Sequence, residues 1–294
     1  MKTPLFAGVC TALVTPFTKD TIDFEMLDRL IDRQLNARVS AIAVCGTTGE
    51  AATMSIEEKM MLIQHTVRYI AGRCKVIAGT GTNNTADAIR MSRMAQAYGA
   101  DGLLVVTPYY NKTSQAGLVR HYAAIAQSVS LPIIAYHVPA RTGMHIAVET
   151  YEALSQIPNL NGIKEASGDL PTVSRIRNRC GDALHIWSGN DDTTVAMMAL
   201  GAKGVISTTA NLLPKQFVQM CNACLSGNTA LGASLQNSLM PVIDAMFCEV
   251  NPMPLKAALQ LAGFAVGDCR PPLWEVSEQQ QKEIASVISA ISLE

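Results

Sequence analysis

The sequence has little net charge and no concentrated basic segment. Its 294 residues carry 23 Lys and Arg against 24 Asp and Glu, for a formal charge of −1. Proteins that bind nucleic acid or anionic membrane surfaces usually display a patch or run of Lys and Arg. The chain has no such cluster, so we expect neither a nucleic-acid nor a membrane partner, and small-molecule chemistry becomes the working hypothesis.

Long apolar runs are also missing, although hydrophobic residues make up 49% of the chain. A helix needs roughly 20 consecutive apolar residues to cross a bilayer, and no segment approaches that length. Residues 1–4 lead directly into an apolar strand pattern, without the features of a secretory signal. The eight cysteines lie mostly within apolar strand and helix patterns. We therefore expect reduced thiols and a cytoplasmic location.

Patterns typical of metal and dinucleotide sites are absent as well. The five histidines show no paired-ligand spacing, and the lone CxxC pair, Cys221 and Cys224, has no second cysteine pair near it. We interpret that pair as small packing residues within a helix. No glycine-rich dinucleotide turn follows the first apolar run. The sequence thus predicts that the protein uses no metal and no other cofactor.

What the chain does contain is a regular alternation of short apolar runs and longer amphipathic segments. The runs are continuous and rich in Val and Ile, as expected for parallel strands buried on both faces. Such strand–helix units, eight of them over about 225 residues, predict a (β/α)8 TIM barrel rather than an open doubly wound sheet. The predicted strands are Phe6–Leu13, Ser40–Cys45, Lys75–Ala78, Gly102–Val106, Pro132–Val138, Gly162–Glu165, His185–Trp187 and Gly204–Ser207.

Capping signals mark several of the predicted helices. Ser55 and Glu58 have the spacing of a capping box, and Asp23 and Asp191 are predicted N-caps. After Leu225 the strand signals stop and three helical patterns remain, at 229–247, 254–262 and 277–291. We therefore predict two domains, a catalytic barrel over residues 1–226 and a C-terminal helical region packed on it over residues 227–294.

Lys164 is the most informative residue of the chain. It lies in the segment Asn161–Gly168, within the sixth predicted strand, which looks buried, and a charged ammonium is costly to bury. Desolvation favours the neutral amine, which is the form that attacks a carbonyl carbon. We predict that Lys164 is a Schiff-base nucleophile, and an ordinary solvated lysine is the alternative.

Other chemically useful residues follow neighbouring strands, where the active sites of such barrels lie. The turn Gly46–Glu50 offers hydroxyls and backbone amides to a small carboxylate, or is simply a tight turn with capping threonines. Thr107–Tyr110 carries two tyrosines, which taken singly favour plain packing. Tyr136 precedes a turn that presents Arg141, suited to a bidentate carboxylate or to a loop-ordering salt bridge. Together these residues fit a class I aldolase acting on a 2-oxo acid, with the protonated imine as the electron sink.

Four motifs carry a resemblance to a known family. Gly46–Glu50, Thr107–Tyr110, Tyr136–Gly143 and Gly162–Gly168 resemble the signature set of the 4-hydroxy-tetrahydrodipicolinate synthase (dihydrodipicolinate synthase) family, in the pyruvate-dependent class I aldolase superfamily. The resemblance covers essentially the whole chain. It implies a lyase that condenses pyruvate with L-aspartate 4-semialdehyde to give 4-hydroxy-tetrahydrodipicolinate, the first committed step of lysine and diaminopimelate biosynthesis.

The resemblance also implies a role for each site residue. Lys164 would form an imine with pyruvate, and Tyr136 would be the main general acid and base of a proton relay. Arg141 would meet the carboxylate of the semialdehyde. The full set of implied catalytic residues is Lys164, Tyr136, Thr47 and Tyr110. The implied substrate-binding residues are Thr48, Arg141, Gly189 and Ile206.

The assembly and its regulation are implied in the same way. In similar enzymes the residue matching Tyr110 enters from a neighbouring subunit, which implies a homotetramer, built as a dimer of dimers, with Tyr110 crossing the tight-dimer interface. A lysine-feedback site of regulated members lies at that interface, and the matching residues here are Ala51, Lys59, Asn83, Asp87 and Tyr109.

Departures from the family pattern bear on that regulation. Ala51, Ile56 and Lys59 replace the serine and two histidines typical of sensitive bacterial enzymes. Since the Lys59 ammonium should repel that of a bound lysine, we expect weak or absent feedback. His137 stands where the family more often has asparagine, and we interpret it as structural.

Two other functions remain open from the sequence. A sister aldolase, such as N-acetylneuraminate lyase or a 2-keto-3-deoxy-sugar-acid aldolase, would share Lys164, Tyr136 and the Gly46–Glu50 turn. Arg141 favours the synthase, because sugar-acid enzymes tend to place small or polar groups at that position. A non-catalytic barrel that binds a 2-oxo acid as a sensor is the second alternative.

Overall fold

The chain folds into a closed barrel of eight parallel strands in the computed structural model, which describes residues 2–19 and 21–291. Each strand pairs with its neighbours in the sequence, and the first strand closes the barrel against the last, with Val9 opposite Val205. The predicted (β/α)8 fold is therefore confirmed. The barrel strands are β1 Gly8–Ala12, β2 Ala41–Val44, β3 Lys75–Gly79, β4 Gly102–Val106, β5 Ile133–His137, β6 Leu160–Glu165, β7 His185–Ser188 and β8 Gly204–Ser207.

Helices connect the strands and surround the barrel. In order they are α1 Phe24–Asn36, α2 Ile56–Ile70, α3 Thr85–Ala97, α4 Gln115–Gln127, α5 Pro139–Thr142, α6 Val148–Ser155, α7 Leu170–Cys180, α8 Thr194–Ala199, α9 Pro214–Leu225, α10 Thr229–Met246, α11 Met253–Leu261 and α12 Glu278–Ser289. Across residues 2–19 and 21–291, none of them has both the length and the hydrophobicity that crossing a bilayer requires.

Two of the three predicted caps are confirmed. The Asp23 side chain accepts a hydrogen bond from the Met26 amide, and Ser55 and Glu58 form the reciprocal bonds of a capping box. The prediction for Asp191 is wrong, since α8 begins three residues later and Asp191 makes no cap. Its carboxylate instead accepts a hydrogen bond from the Thr209 amide at 2.7 Å, a long-range contact that the local sequence does not encode.

The interior of the barrel is filled by a cluster separate from the layer between strands and helices. Phe6 and Trp187 stack there with ring centroids 4.9 Å apart. A β-carbon at Gly162 would lie 2.5 Å from the Trp187 ring, so only glycine lets the indole occupy this space.

The C-terminal helices join the same hydrophobic core as the barrel helices. Buried side chains of α10, including Val242, Ile243 and Met246, belong to the core that contains the outward faces of the strands. Leu255 and Leu259 of α11 are buried in it as well. The boundary at residues 226 and 227 stays a prediction.

A buried ion pair ties the turn after β2 to the C-terminal region. The Nζ of Lys256, on α11, lies 2.6 Å from Glu50 Oε1, and both side chains are almost fully buried. Lys256 also donates to the Asp268 carbonyl at 3.0 Å, and the other Glu50 oxygen accepts from the Arg270 amide at 2.8 Å. Glu50 is thereby held from the far end of the chain, which fixes the shape of the turn that it ends.

Removing one partner of this pair should be strongly destabilising. Lys256→Met leaves the Glu50 carboxylate buried without its cation, and we expect a loss of about 3–5 kcal/mol in the free energy of unfolding. The measurement is urea unfolding at fixed protein concentration. The control is Lys75→Met, because Lys75 forms an exposed pair with Asp101 at 2.8 Å and should lose no more than about 1 kcal/mol. Equal losses in the two variants would contradict the structural role given to Lys256.

Candidate active site

Lys164 and Tyr136 lie side by side on adjacent strands. They are register partners of β6 and β5, and they are 6% and 7% exposed. The Lys164 Nζ lies 4.4 Å from the centroid of the Tyr136 ring. The structure thus places an amine out of bulk water and against a phenol, as imine chemistry requires.

A buried carboxylic acid, Asp191, lies close enough to Lys164 for their charges to interact. Asp191, which follows β7, is 2% exposed. Burial raises the pKa of its carboxyl, while hydrogen bonds from Thr209 and Ser207 and the charge of Lys164 act in the opposite direction. The sequence interpretation of Asp191 as a helix cap missed this contact.

The turn Gly46–Glu50 presents donors at the barrel mouth. The Thr48 hydroxyl lies 3.1 Å from that of Thr208, which follows β8. Within the described chain, the Thr48 and Gly49 amides donate to no other group, and Glu50 closes the turn in the left-handed region at φ 54°. Adjacent free amides of this kind bind a carboxylate.

A cavity of about 410 Å³ opens next to this turn. Thr47, Tyr136 and Arg141 line it together. The Arg141 side chain is exposed, and its Nη2 donates to the Asn251 carbonyl at 3.3 Å. Among residues 2–19 and 21–291 no carboxylate pairs with Arg141. The structure therefore does not show the loop-ordering salt bridge that the sequence offered as the alternative role of Arg141. Its guanidinium is therefore available to an anion in the cavity.

Gly189 lies against the backbone that follows Lys164, and Ile206 lies inside the barrel. The Gly189 amide donates to the Glu165 carbonyl at 2.7 Å, and a β-carbon at Gly189 would lie 2.6 Å from that of Ala166. Ile206, on β8, is fully buried in the interior of the barrel. Gly189 is required for this close packing whatever its role in binding.

Tyr110 does not join the other predicted catalytic residues within one chain. Its side chain is 90% exposed, on a segment in which Tyr110 has φ 65° and Lys112 has φ 52°. Tyr109 by contrast lines the 410 Å³ cavity. The sequence predicts both tyrosines at the end of a strand. In the structure Tyr109 lines the cavity, whereas the Tyr110 side chain is exposed to solvent.

Most of the predicted regulatory residues line the same cavity. Asn83 is the exception, since it lies in a separate pocket with Asn111 and Lys112. Burial lowers the pKa of Lys59, against the raising effect of Cys45 and Glu58. The members that line the 410 Å³ cavity are Ala51, Lys59, Asp87 and Tyr109.

A buried polar cluster lies next to Lys164 and Tyr136, on the outer side of the strands. His137 and Glu165 follow Tyr136 and Lys164 in the chain and are register partners as well. His137 Nδ1 lies 2.9 Å from Glu165 Oε2, and the Tyr151 hydroxyl donates to the same oxygen at 2.7 Å. Although burial favours the protonated acid, hydrogen bonds from His137, Ser167 and Tyr151 hold the pKa of Glu165 below its ordinary value.

The sequence did not single out Asn251 or Thr208 as site residues. Asn251 lies between α10 and α11, beyond all eight strands, and its side chain donates to the Thr48 hydroxyl at 2.9 Å. Nothing in its local sequence, an Asn-Pro step, signals a place at the barrel mouth. Thr208 could have been found from its place directly after β8.

Within the part of the chain that the structure describes, no group of three or more His, Cys, Asp or Glu side chains is arranged to hold a metal ion. The groups that the structure brings together at the site are an amine, phenols, hydroxyls, amides and a guanidinium. The prediction that the protein needs no cofactor stays a prediction.

Comparisons with known proteins give matches over nearly the whole chain. Residues 5–291 match the model of the dihydrodipicolinate synthetase family. A 4-hydroxy-tetrahydrodipicolinate synthase from Thermoanaerobacter sp. strain X514 is 47% identical over 291 residues, which are 99% of this chain and 98% of that protein. The crystal structure of dihydrodipicolinate synthase from Aquifex aeolicus has a TM-score of 0.95 and 39% identity, over 97% of this chain and 98% of that one. The enzyme from Acinetobacter baumannii complexed with pyruvate has a TM-score of 0.93 and 38% identity, over 96% and 98%.

Proposed function

Because this chain belongs to the dihydrodipicolinate synthetase family, we propose that it condenses pyruvate with L-aspartate 4-semialdehyde to give 4-hydroxy-tetrahydrodipicolinate. The predicted family and enzyme class, a lyase of the class I aldolase type in lysine and diaminopimelate biosynthesis, are confirmed by its relatives. The observation that carries the chemistry is the buried Lys164 amine, 4.4 Å from the Tyr136 ring centroid.

The first step is imine formation. The neutral Lys164 amine attacks the keto carbon of pyruvate, and the keto oxygen leaves as water after Tyr136 has supplied a proton. Meanwhile the free amides of Thr48 and Gly49 and the Thr48 hydroxyl bind the pyruvate carboxylate. Thr47 lines the same cavity as Tyr136 and passes the proton toward solvent. Gly189 and Ile206 shape the pocket with their peptide groups.

The second step forms the carbon–carbon bond. The protonated imine accepts the electron pair released when the methyl group of pyruvate loses a proton, which gives an enamine. The enamine carbon then attacks the aldehyde carbon of the semialdehyde, and the aldehyde oxygen takes a proton. Arg141 binds the distant carboxylate and so holds the aldehyde in place for this attack.

The last step releases the enzyme. The ammonium group of the semialdehyde first loses a proton to solvent, and the neutral amino nitrogen then attacks the imine carbon and closes a six-membered ring. The bond from that carbon to Lys164 breaks, the lysine nitrogen takes a proton, and the cyclic imine leaves with the new hydroxyl group. No oxidant, reductant or metal ion is consumed in this sequence, in keeping with the prediction that no cofactor is needed.

Tyr110 connects the proposal to the assembly. A tyrosine that is 90% exposed in one chain reaches a proton relay only by entering the site of a second copy. We therefore place Tyr110 across a tight-dimer interface of a homotetramer. Sedimentation should give a mass four times the 31.5 kDa chain, and a monomer with full activity would contradict this part of the proposal.

The proposed location is the cytoplasm. Eight cysteines are free, and Cys10, Cys45 and Cys221 among them are buried within the core. Burial raises the pKa of Cys45 to about 12, so its thiol stays protonated and unreactive. Free thiols of this kind fit a reducing compartment.

A competition between aldehydes tests the proposed substrate. Pyruvate is offered with aspartate 4-semialdehyde, and in parallel with N-acetylmannosamine and glyceraldehyde. We expect turnover with the semialdehyde alone, because the Arg141 guanidinium in the cavity needs a carboxylate as its partner. Preference for a sugar aldehyde would favour the sister aldolase.

Weak or absent lysine inhibition is the expected regulatory behaviour. Lys59 lines the cavity together with Ala51, Asp87 and Tyr109, and its ammonium repels that of a bound lysine. The inhibition constant of L-lysine should lie above the millimolar range, and the Lys59→His variant should be more sensitive than the wild type. An inhibition constant far below millimolar for the unmodified chain would contradict this prediction.

A further inference from the structure

Asn251 contacts both residues proposed to bind a substrate carboxylate. It is 7% exposed and lines the cavity that contains Arg141. Its Nδ2 donates to the Thr48 hydroxyl at 2.9 Å, and its main-chain carbonyl accepts from Arg141 Nη2 at 3.3 Å. A single residue thus lies between the pyruvate end of the site and the semialdehyde end.

The other polar atom of the Asn251 side chain, Oδ1, is buried without a hydrogen-bond partner in the described part of the chain. Its Oδ1 is buried and accepts no hydrogen bond from residues 2–19 or 21–291. A buried carbonyl oxygen normally finds a donor, and an exception in a cavity calls for an explanation. A bound molecule that presents a hydrogen-bond donor at this point would satisfy it.

The two carboxylates that line the cavity already have cationic partners. Of the two carboxylates there, Glu50 pairs with Lys256 at 2.6 Å. The second, Asp87, pairs with Arg90 at 3.2 Å. The side-chain oxygen of Asn251 is by contrast a buried, neutral acceptor that has no partner among residues 2–19 and 21–291.

The second substrate carries the complementary donor in the right place. Its carboxylate and its ammonium group are attached to the same carbon, so a carboxylate at Arg141 brings the ammonium next to the residue that Arg141 contacts. An ammonium group has three donors and no acceptor. We propose that Asn251 Oδ1 accepts a hydrogen bond from the ammonium group of the amino-aldehyde substrate and so selects it over aldehydes that lack an amino group.

A neutral amide suits this position better than an acid would. Asn251 can donate to Thr48 with one end of its side chain while it accepts from the ammonium with the other. A carboxylate here would repel the pyruvate carboxylate held by Thr48. The inference rests on the proposed function, since it assigns a contact within the same reaction.

The test compares two aldehydes that differ only in the amino group. For the wild type and Asn251→Ala, the KM of aspartate 4-semialdehyde is measured together with the inhibition constant of succinate semialdehyde. We expect Asn251→Ala to raise that KM by about 10- to 100-fold, as for the loss of a hydrogen bond to a charged group. The inhibition constant of succinate semialdehyde should change by less than about threefold, because this aldehyde has no ammonium group that would lose a hydrogen-bond partner.

A second variant separates recognition from structure. Asn251→Asp keeps an acceptor for the ammonium but loses the donor to Thr48, so the KM of the semialdehyde should stay closer to wild type than in the alanine variant. The KM of pyruvate should rise in this variant instead. Borohydride trapping of pyruvate on Lys164 in each variant shows that the site is folded.

Two results would overturn the inference. One is an equal weakening of both aldehydes in Asn251→Ala, which would mean that the Asn251 side chain maintains the shape of the site and does not recognise the ammonium group. The other is no change in either. A failure of the proposed function looks different, because the wild type would then neither trap pyruvate nor use the semialdehyde.

Discussion

Lys164→Arg should lower kcat by about 10³-fold or more, as for the loss of a covalent nucleophile. Arginine is close to lysine in length, but its guanidinium does not deprotonate and so forms no imine with a keto acid. Because Lys164 is 6% exposed and lies against Tyr136, the substitution removes the nucleophile without opening a cavity. The measurement is the initial rate with pyruvate and aspartate 4-semialdehyde.

The matched control for this variant is Lys282→Arg, on the exposed side of α12. It makes the same chemical change far from the barrel mouth and should leave kcat within about twofold, as surface substitutions usually do. If Lys164→Arg kept a tenth or more of the wild-type activity, the imine mechanism would be wrong. The protein would then catalyse the condensation without a covalent intermediate on Lys164.

Tyr136→Phe should lower kcat by about 10²- to 10⁴-fold, the usual contribution of a positioned general acid or base. The phenylalanine ring keeps the contact that the Lys164 amine makes 4.4 Å from the ring centroid. Only the hydroxyl is lost, so the effect reports proton transfer rather than packing. Imine trapping by borohydride should also become slower, because water leaves the first adduct only after it gains a proton.

Tyr122→Phe provides the comparison for Tyr136→Phe. The Tyr122 hydroxyl is buried and donates to the Val105 carbonyl at 2.9 Å, outside the proposed site. Its removal should cost about 1 kcal/mol of stability and leave kcat near the wild-type value. Equal activity losses in the two variants would show that the effect of Tyr136→Phe is structural, and the assignment of Tyr136 as the acid and base would fall.

The fold could be predicted in detail because its determinants are local. Continuous runs such as Gly102–Val106 mark strands buried on both faces, and the structure gives β4 the same bounds. A capping box such as that of Ser55 and Glu58 fixes a helix start within four residues of sequence. Parallel strands then bring their carboxyl ends to one rim, so residues such as Lys164 and Tyr136 were expected to meet.

The rest of the site could not be predicted, because it depends on contacts between distant parts of the chain. Asn251 meets Thr48 across 203 residues, and the Arg270 amide meets Glu50 across 220. No local spacing encodes such contacts, since they follow from how α10 and α11 pack on the barrel. Asp191 was misread for the same reason, as its partner Thr209 lies after a different strand.

The contact between His137 and Glu165, on the outer side of the strands, could be predicted only in part. The strand order predicts that His137 and Glu165 are neighbours once Tyr136 and Lys164 are, because both pairs share one register. It does not predict Tyr151, which comes from α6 and completes the hydrogen bonds of the Glu165 carboxylate. The interpretation of His137 as structural stays a prediction, and its contact with Glu165 at 2.9 Å emerged only from the fold.

The central claim is that the Lys164 amine forms a covalent imine with pyruvate, and reductive trapping tests it most directly. The protein is incubated with pyruvate and sodium borohydride, digested, and examined by mass spectrometry. The claim predicts a single modified site, with the mass increment of reduced pyruvate on the peptide that contains Lys164. An unmodified Lys164 peptide from protein that remains active, or an increment on another lysine, would contradict it.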